Sequence, residues 1–200
     1  MLQRWSIKRV ALAAAMLAII TAAVFGTGDA FFPAARNLGA YAPACGTGHS
    51  MILSAQAVPS AALLPCVAAL PSGWSIGGAD IASGTSSFWL DSDRAGPRAL
   101  TVTLTAACDT AGAQQIPSDQ PGTRRFERPL SLAPRYSALR YYTFPGGCAT
   151  YRFSFTPGTS PVLAVTADGA LSFVPRPVLV DWVRRTEGQT LCGRGAACPG

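Results

Sequence analysis

The amino-acid sequence predicts a mainly β fold: a small antiparallel sandwich or barrel-like domain with one or two short helices, preceded by an N-terminal transmembrane helix. Three observations lead there. Glycine and proline are frequent, 20 and 16 of 200 residues, which multiplies turns and disfavours long helices. Short runs alternate apolar and polar residues, the two-residue period of half-buried strands. The one long apolar run lies at the N-terminus. Hydrophobic residues make up 49% of the chain, enough for a core and too many for a disordered tail.

At the N-terminus, Arg4, Lys8 and Arg9 precede the apolar run Val10–Phe25, and no charge occurs from Val10 through Gly28. A helix of that length spans about 28 Å, close to the hydrocarbon core of a bilayer. The basic flank stays cytoplasmic, so the chain leaves the membrane outward. The expected organisation is a flank and signal-anchor over 1–28, a tether over 29–44 and an extracytoplasmic domain over 45–200. The alternative is a secreted domain freed by signal cleavage, although Val24-Phe25-Gly26 and Gly28-Asp29-Ala30 are poor cleavage sites.

Six cysteines follow: Cys45, Cys66, Cys108, Cys148, Cys192 and Cys198. An even number in an exported domain reads as disulfides. There is no Cys-x-x-Cys and only one histidine, His49, so zinc is disfavoured. Six cysteines allow fifteen connectivities. The local set is expected: Cys45–Cys66, Cys108–Cys148 and Cys192–Cys198.

Along the domain, Ser50 is placed to cap a short helix, Met51–Val58, stopped by Pro59. Residues 73–91 read as a hairpin or two short strands with glycine-rich turns. Residues 98–108 alternate strictly, with Val102 and Leu104 opposite Thr101, Thr103 and Thr105. Pro145-Gly146-Gly147 joins two strands, in the second of which Tyr151, Phe153 and Phe155 share a face. Val162–Ala167 and Ala170–Val174 read as two more strand-like pieces around Asp168-Gly169. The period then changes. Leu179, Trp182, Val183 and Thr186 recur at helical spacing between Pro177 and Gly188.

Four patterns are candidates for chemistry. Gly48-His49-Ser50-Met51 resembles the nucleophile elbow of α/β-hydrolases. However, Ile52 stands where the second glycine belongs, and the only histidine adjoins the serine instead of serving as a distant base. Asp91 and Asp93 resemble the start of a calcium loop, but Ala95 and Val102 occupy two ligand positions. They remain weak metal candidates. Arg124, Arg125 and Arg128 around Phe126 form a candidate patch for an anionic partner, with Glu127 as an internal counter-charge. Trp74, Trp89, Tyr136, Tyr141, Tyr142 and Tyr151 would stack on sugars if exposed and coplanar, and pair across strands if buried. From Phe31 onward 13 arginines against 9 acids leave a modest net charge of +4, and nucleic acid is not an expected partner. No cofactor motif is present.

The order of features, from the basic flank and apolar span through "YAPACGTGHSMILSAQAVPSAALLPC", "FWLDSDRAG" and "YYTFPGGCATYRF", resembles single-pass exported proteins of GC-rich bacteria. No activity is known for such a family, so the resemblance implies topology and not chemistry. The expectation is a membrane-anchored, non-catalytic binding or scaffolding domain at the cell envelope, with an envelope protein or polymer as partner. An envelope enzyme, metal-assisted at Asp91 and Asp93, and a carbohydrate-binding module are the alternatives.

Overall fold

The computed structural model describes Cys45, residues 49–132 and residues 134–193. The apolar span, the tether and Cys198 lie outside the described residues. Among the described residues, no helix is long and apolar enough to cross a membrane.

The described chain begins with helix α1 (His49–Ala57), then strands β1 (Leu63–Val67), β2 (Trp74–Ala82), β3 (Thr85–Ser92) and β4 (Gly96–Thr105). Strands β5 (Gln114–Ile116), β6 (Arg124–Ser131), β7 (Ser137–Phe144) and β8 (Gly147–Ser154) follow. Helix α2 (Val162–Asp168), strand β9 (Leu171–Pro175) and helix α3 (Arg176–Glu187) complete it. The fold is mainly β and antiparallel with short helices. One sheet has seven strands in the order β2-β3-β4-β8-β7-β6-β5, and β1 and β9 form a separate two-stranded ribbon.

The alternation in β4, β7 and β8 decides which face of the large sheet is buried. Leu100, Val102 and Leu104 of β4 stand in line with Ala149, Tyr151 and Phe153 of β8 and with Ala138 and Tyr142 of β7. Phe173 of β9 closes over this face, its ring 5.6 Å from those of both Tyr142 and Phe144. The opposite face carries Thr101, Thr103 and Thr105. The connection from β4 to β5, which sits at the far edge beyond β6, runs over that face. The Cys108–Cys148 disulfide pins it there, and Arg128 donates from β6 to the Ala111 carbonyl at 3.0 Å.

Two elements differ from their sequence reading. Helix α1 begins at His49, so Ser50 lies in its first turn and is not its cap. Val162–Asp168 is a helix and not a strand arm. Its apolar residues are small enough to bury at helical spacing, with Leu163, Ala164 and Ala167 inward, and Asp168 joins them on that face. The C-terminal helix agrees with its sequence signals. Proline stands in its first turn, Leu179 and Val183 are buried, and Gly188 ends it with φ of 64°.

Arg176 ties the helical layer together. It is 2% exposed, and its guanidinium donates to Ala55 O at 3.1 Å and Cys192 O at 2.6 Å. The first of these is a carbonyl at the C-terminal end of α1, where the helix leaves acceptors without intrahelical donors and concentrates negative potential.

Candidate functional site

A cleft of about 230 Å³ opens between α1, β1 and the β2–β3 hairpin. The hairpin reaches the helix because the Gly84 N–H donates to Ala57 O at 2.8 Å. Met51, Val67, Ile76, Ile81 and Phe88 supply apolar walls. Ser54 and Ser86 meet across it, Oγ to Oγ at 2.8 Å. The disulfide Cys45–Cys66 borders it through Cys66. Ile76 remains 58% exposed. None of the described lining residues is ionisable. Such a lining can hold an uncharged apolar group and offer it hydroxyl hydrogen bonds, but it contains no side chain suited to proton transfer at neutral pH.

The titratable groups gather elsewhere, on the buried face of β6 and β7. Arg140 and Asp168, each with a side chain 8% exposed, form an ion pair at 2.5 Å. Arg140 Nε also donates to Glu127 Oε1 at 2.5 Å, and Arg125 Nη2 reaches the same oxygen at 2.5 Å. Arg125 pairs with Asp119 at 3.2 Å. Tyr142 Oη lies 3.0 Å from Asp119 Oδ1 and 3.2 Å from Asp168 Oδ1. Burial pushes the Tyr142 phenol up, and the charges of Asp168 and Asp119 add to it. Burial likewise raises the Asp168 carboxyl, against the opposing charge of Arg140. At Glu127 burial acts upward, but hydrogen bonds and charge from Arg125 and Arg140 outweigh it and hold the carboxyl low.

The structure separates the three predicted arginines. In β6 alternate residues face opposite ways, so Arg125 and Glu127 stand beside Tyr142 and Arg140 while Arg124 and Arg128 point to the other face. Arg125 is committed to Glu127 and Asp119, and Arg124 lies over the Phe126 ring at 5.9 Å. The three therefore form no common patch. Asp91 accepts the Arg98 backbone N–H at 2.7 Å, and Asp93 pairs with Arg94 at 3.8 Å. No group of three or more metal-ligating side chains forms among the described residues. Trp74, Tyr141, Tyr142 and Tyr151 are buried, so the six aromatics do not make an exposed stacking platform. Trp89 instead lies against the Gly77-Gly78 backbone, with Arg98 4.1 Å above its ring.

No protein family, curated protein or solved structure matches the chain.

Two of the expected disulfides, Cys45–Cys66 and Cys108–Cys148, are present. Such bonds persist in oxidising compartments and point to a location outside the cytoplasm. The expected partner of Cys192, Cys198, is outside the described residues. Sequence reasoning missed Asp119, Arg140 and Asp168. The only signals were a charge within the segment 138–144, at Arg140, and an aspartate ending the run 162–167, at Asp168; Asp119 had none.

Proposed function

We propose that this chain is a membrane-anchored, extracytoplasmic binding domain of the bacterial envelope, sandwich-like in fold and non-catalytic. In this reading it belongs with single-pass exported proteins of GC-rich bacteria. The observation that carries the binding role is the cleft beside Cys66, apolar, open and without an ionisable lining residue. The disulfide at its wall supports an exported site whose shape survives outside the cell. The engagement of the buried charges with one another supports a stabilising use for them. The partner is an envelope molecule that inserts an uncharged apolar group beside Ile76.

The test places a photo-crosslinking residue at position 76 of the full chain in a bacterial host. A single defined adduct in the membrane fraction is expected, lost when Ile81→Asp puts a charge in the cleft. Protease added outside the cytoplasmic membrane should also degrade the domain. The reading fails if the domain is protected from that protease, or if adducts are absent or unaffected by the charge.

A further inference from the structure

Six side chains close a ring on the buried face of the sheet. It runs from Asp168 to Arg140, Glu127, Arg125, Asp119 and Tyr142, and back to Asp168. The ring holds two guanidinium groups and three carboxylates, one proton short of neutrality. Counting hydrogens reveals the same deficit. The Tyr142 hydroxyl has one hydrogen, yet its oxygen stands within hydrogen-bond distance of carboxylate oxygens from both aspartates. With both ionised, one of those contacts sets lone pair against lone pair. One further proton satisfies both and leaves two positive and two negative charges in the cluster.

We propose that Asp168, Tyr142 and Asp119 hold one proton taken from solvent, and that this proton latches the Pro117–Thr123 loop onto the sheet. The proton binds Asp168 Oδ1, which donates to Tyr142 Oη, and the phenol donates its own hydrogen to Asp119 Oδ1. Asp168 Oδ2 remains against Arg140. Asp168 is the residue that takes the proton because it is 8% exposed, whereas Asp119 is 45% exposed and keeps both water and Arg125. Burial acts in the same direction on the Asp168 carboxyl.

The charged and titratable groups facing Asp168 come from several elements. Arg140 and Tyr142 belong to β7, Tyr151 to β8 and Arg125 to β6, with Glu127 one step away through Arg140. Asp119 comes from the β5–β6 loop, and Tyr136 precedes β7. Strand β9 contributes Phe173 against the Tyr142 ring, and phenylalanine does not titrate. The loop is bonded to itself. The Ser118 and Thr123 hydroxyls meet at 2.6 Å, and both bond to the Gln120 carbonyl. Asp119 is its link to Arg125 and Tyr142. When the proton leaves, two ionised aspartates compete for one phenol hydrogen, and Asp119, the more exposed, swings out.

A carboxyl whose pKa is raised on folding stabilises the native state in its protonated form. That stability is full below the unfolded-state value and is lost as pH rises through the folded value. The test compares the full chain with Asp168→Asn, which is neutral and offers an N–H to Tyr142 Oη. In denaturant titrations across pH, the natural chain should bind about one proton more when folded than when unfolded within that window. Asp168→Asn should lack this dependence and match or exceed the natural chain at neutral pH. Amide exchange of residues 117–123 should rise faster with pH than intrinsic exchange in the natural chain only. Lower stability of Asp168→Asn at every pH would show that the native state needs the ionised pair, overturning the proposal. If the variant does not fold, carboxyl ¹³C titration of the natural chain decides. An aspartate protonated above the ordinary carboxylate range supports the latch, and ordinary titration of every aspartate overturns it.

Discussion

Arg176 illustrates how one side chain joins distant segments. Its guanidinium spans carbonyls of α1 and of the chain after α3, a fork geometry that lysine cannot reproduce. Removing it leaves buried acceptors unpaired. Arg176→Ala should lower unfolding stability by about 2–4 kcal/mol in urea titrations, and Arg176→Lys should recover only part of the loss. Glu127 invites a pH test of opposite sign to that of Asp168. Its carboxyl is held low in the folded state, so its contribution is present above the unfolded value and lost as pH falls through the folded one. Glu127→Gln should therefore be less stable than the natural chain at neutral pH, and the gap should narrow on acidification. A gap unchanged down to acid pH would assign the role to shape alone.

At the scale of elements, the period of the backbone outweighs proximity along the chain. Arg124 and Arg125 are neighbours in sequence yet lie on opposite faces of β6. Val162–Asp168 shows the reverse ambiguity. A short run of small and β-branched residues fits a strand or a helix, and packing selects the helix by giving Leu163, Ala164 and Ala167 one buried face. Two connections can be tested directly. Cys108–Cys148 closes a sequence separation of 40 residues, so replacing both with serine should cost about 3–4 kcal/mol and release the β4–β5 connection to proteolysis. At Gly78 the Trp89 ring occupies the space of a side chain. Gly78→Ala should destabilise by about 1–3 kcal/mol and change the tryptophan fluorescence.

For the whole molecule, the redox state sets survival. The two disulfides together are expected to contribute on the order of 7 kcal/mol, comparable to the net stability of a typical domain. Reductant should lower the thermal unfolding midpoint sharply, and the chain should accumulate folded only in an oxidising compartment. An unchanged midpoint after verified reduction would refute this. The disulfides and the neutral cleft are the two observations on which the proposed binding role rests. The charged ring meanwhile fastens β6, β7, the β5–β6 loop and α2 into one body.

By itself the sequence determined the features written in local period and covalent chemistry. The alternation of β4 and β8, the Pro145-Gly146 hairpin and the end of α3 at Gly188 are of this kind, and so is the expectation of disulfides, whose connectivity only the fold selects. Each depends on neighbours a few residues apart, or on a bond that few partners can make. Tertiary structure alone decided the cleft and the ring. The ring gathers residues 119, 125, 127, 140, 142 and 168, which meet only because β7 lies between β6 and β8 and α2 packs where its terminal aspartate reaches Arg140. A buried charge is stable only where opposite charges and donors converge on it, and that convergence is a property of strand order, which no local pattern records.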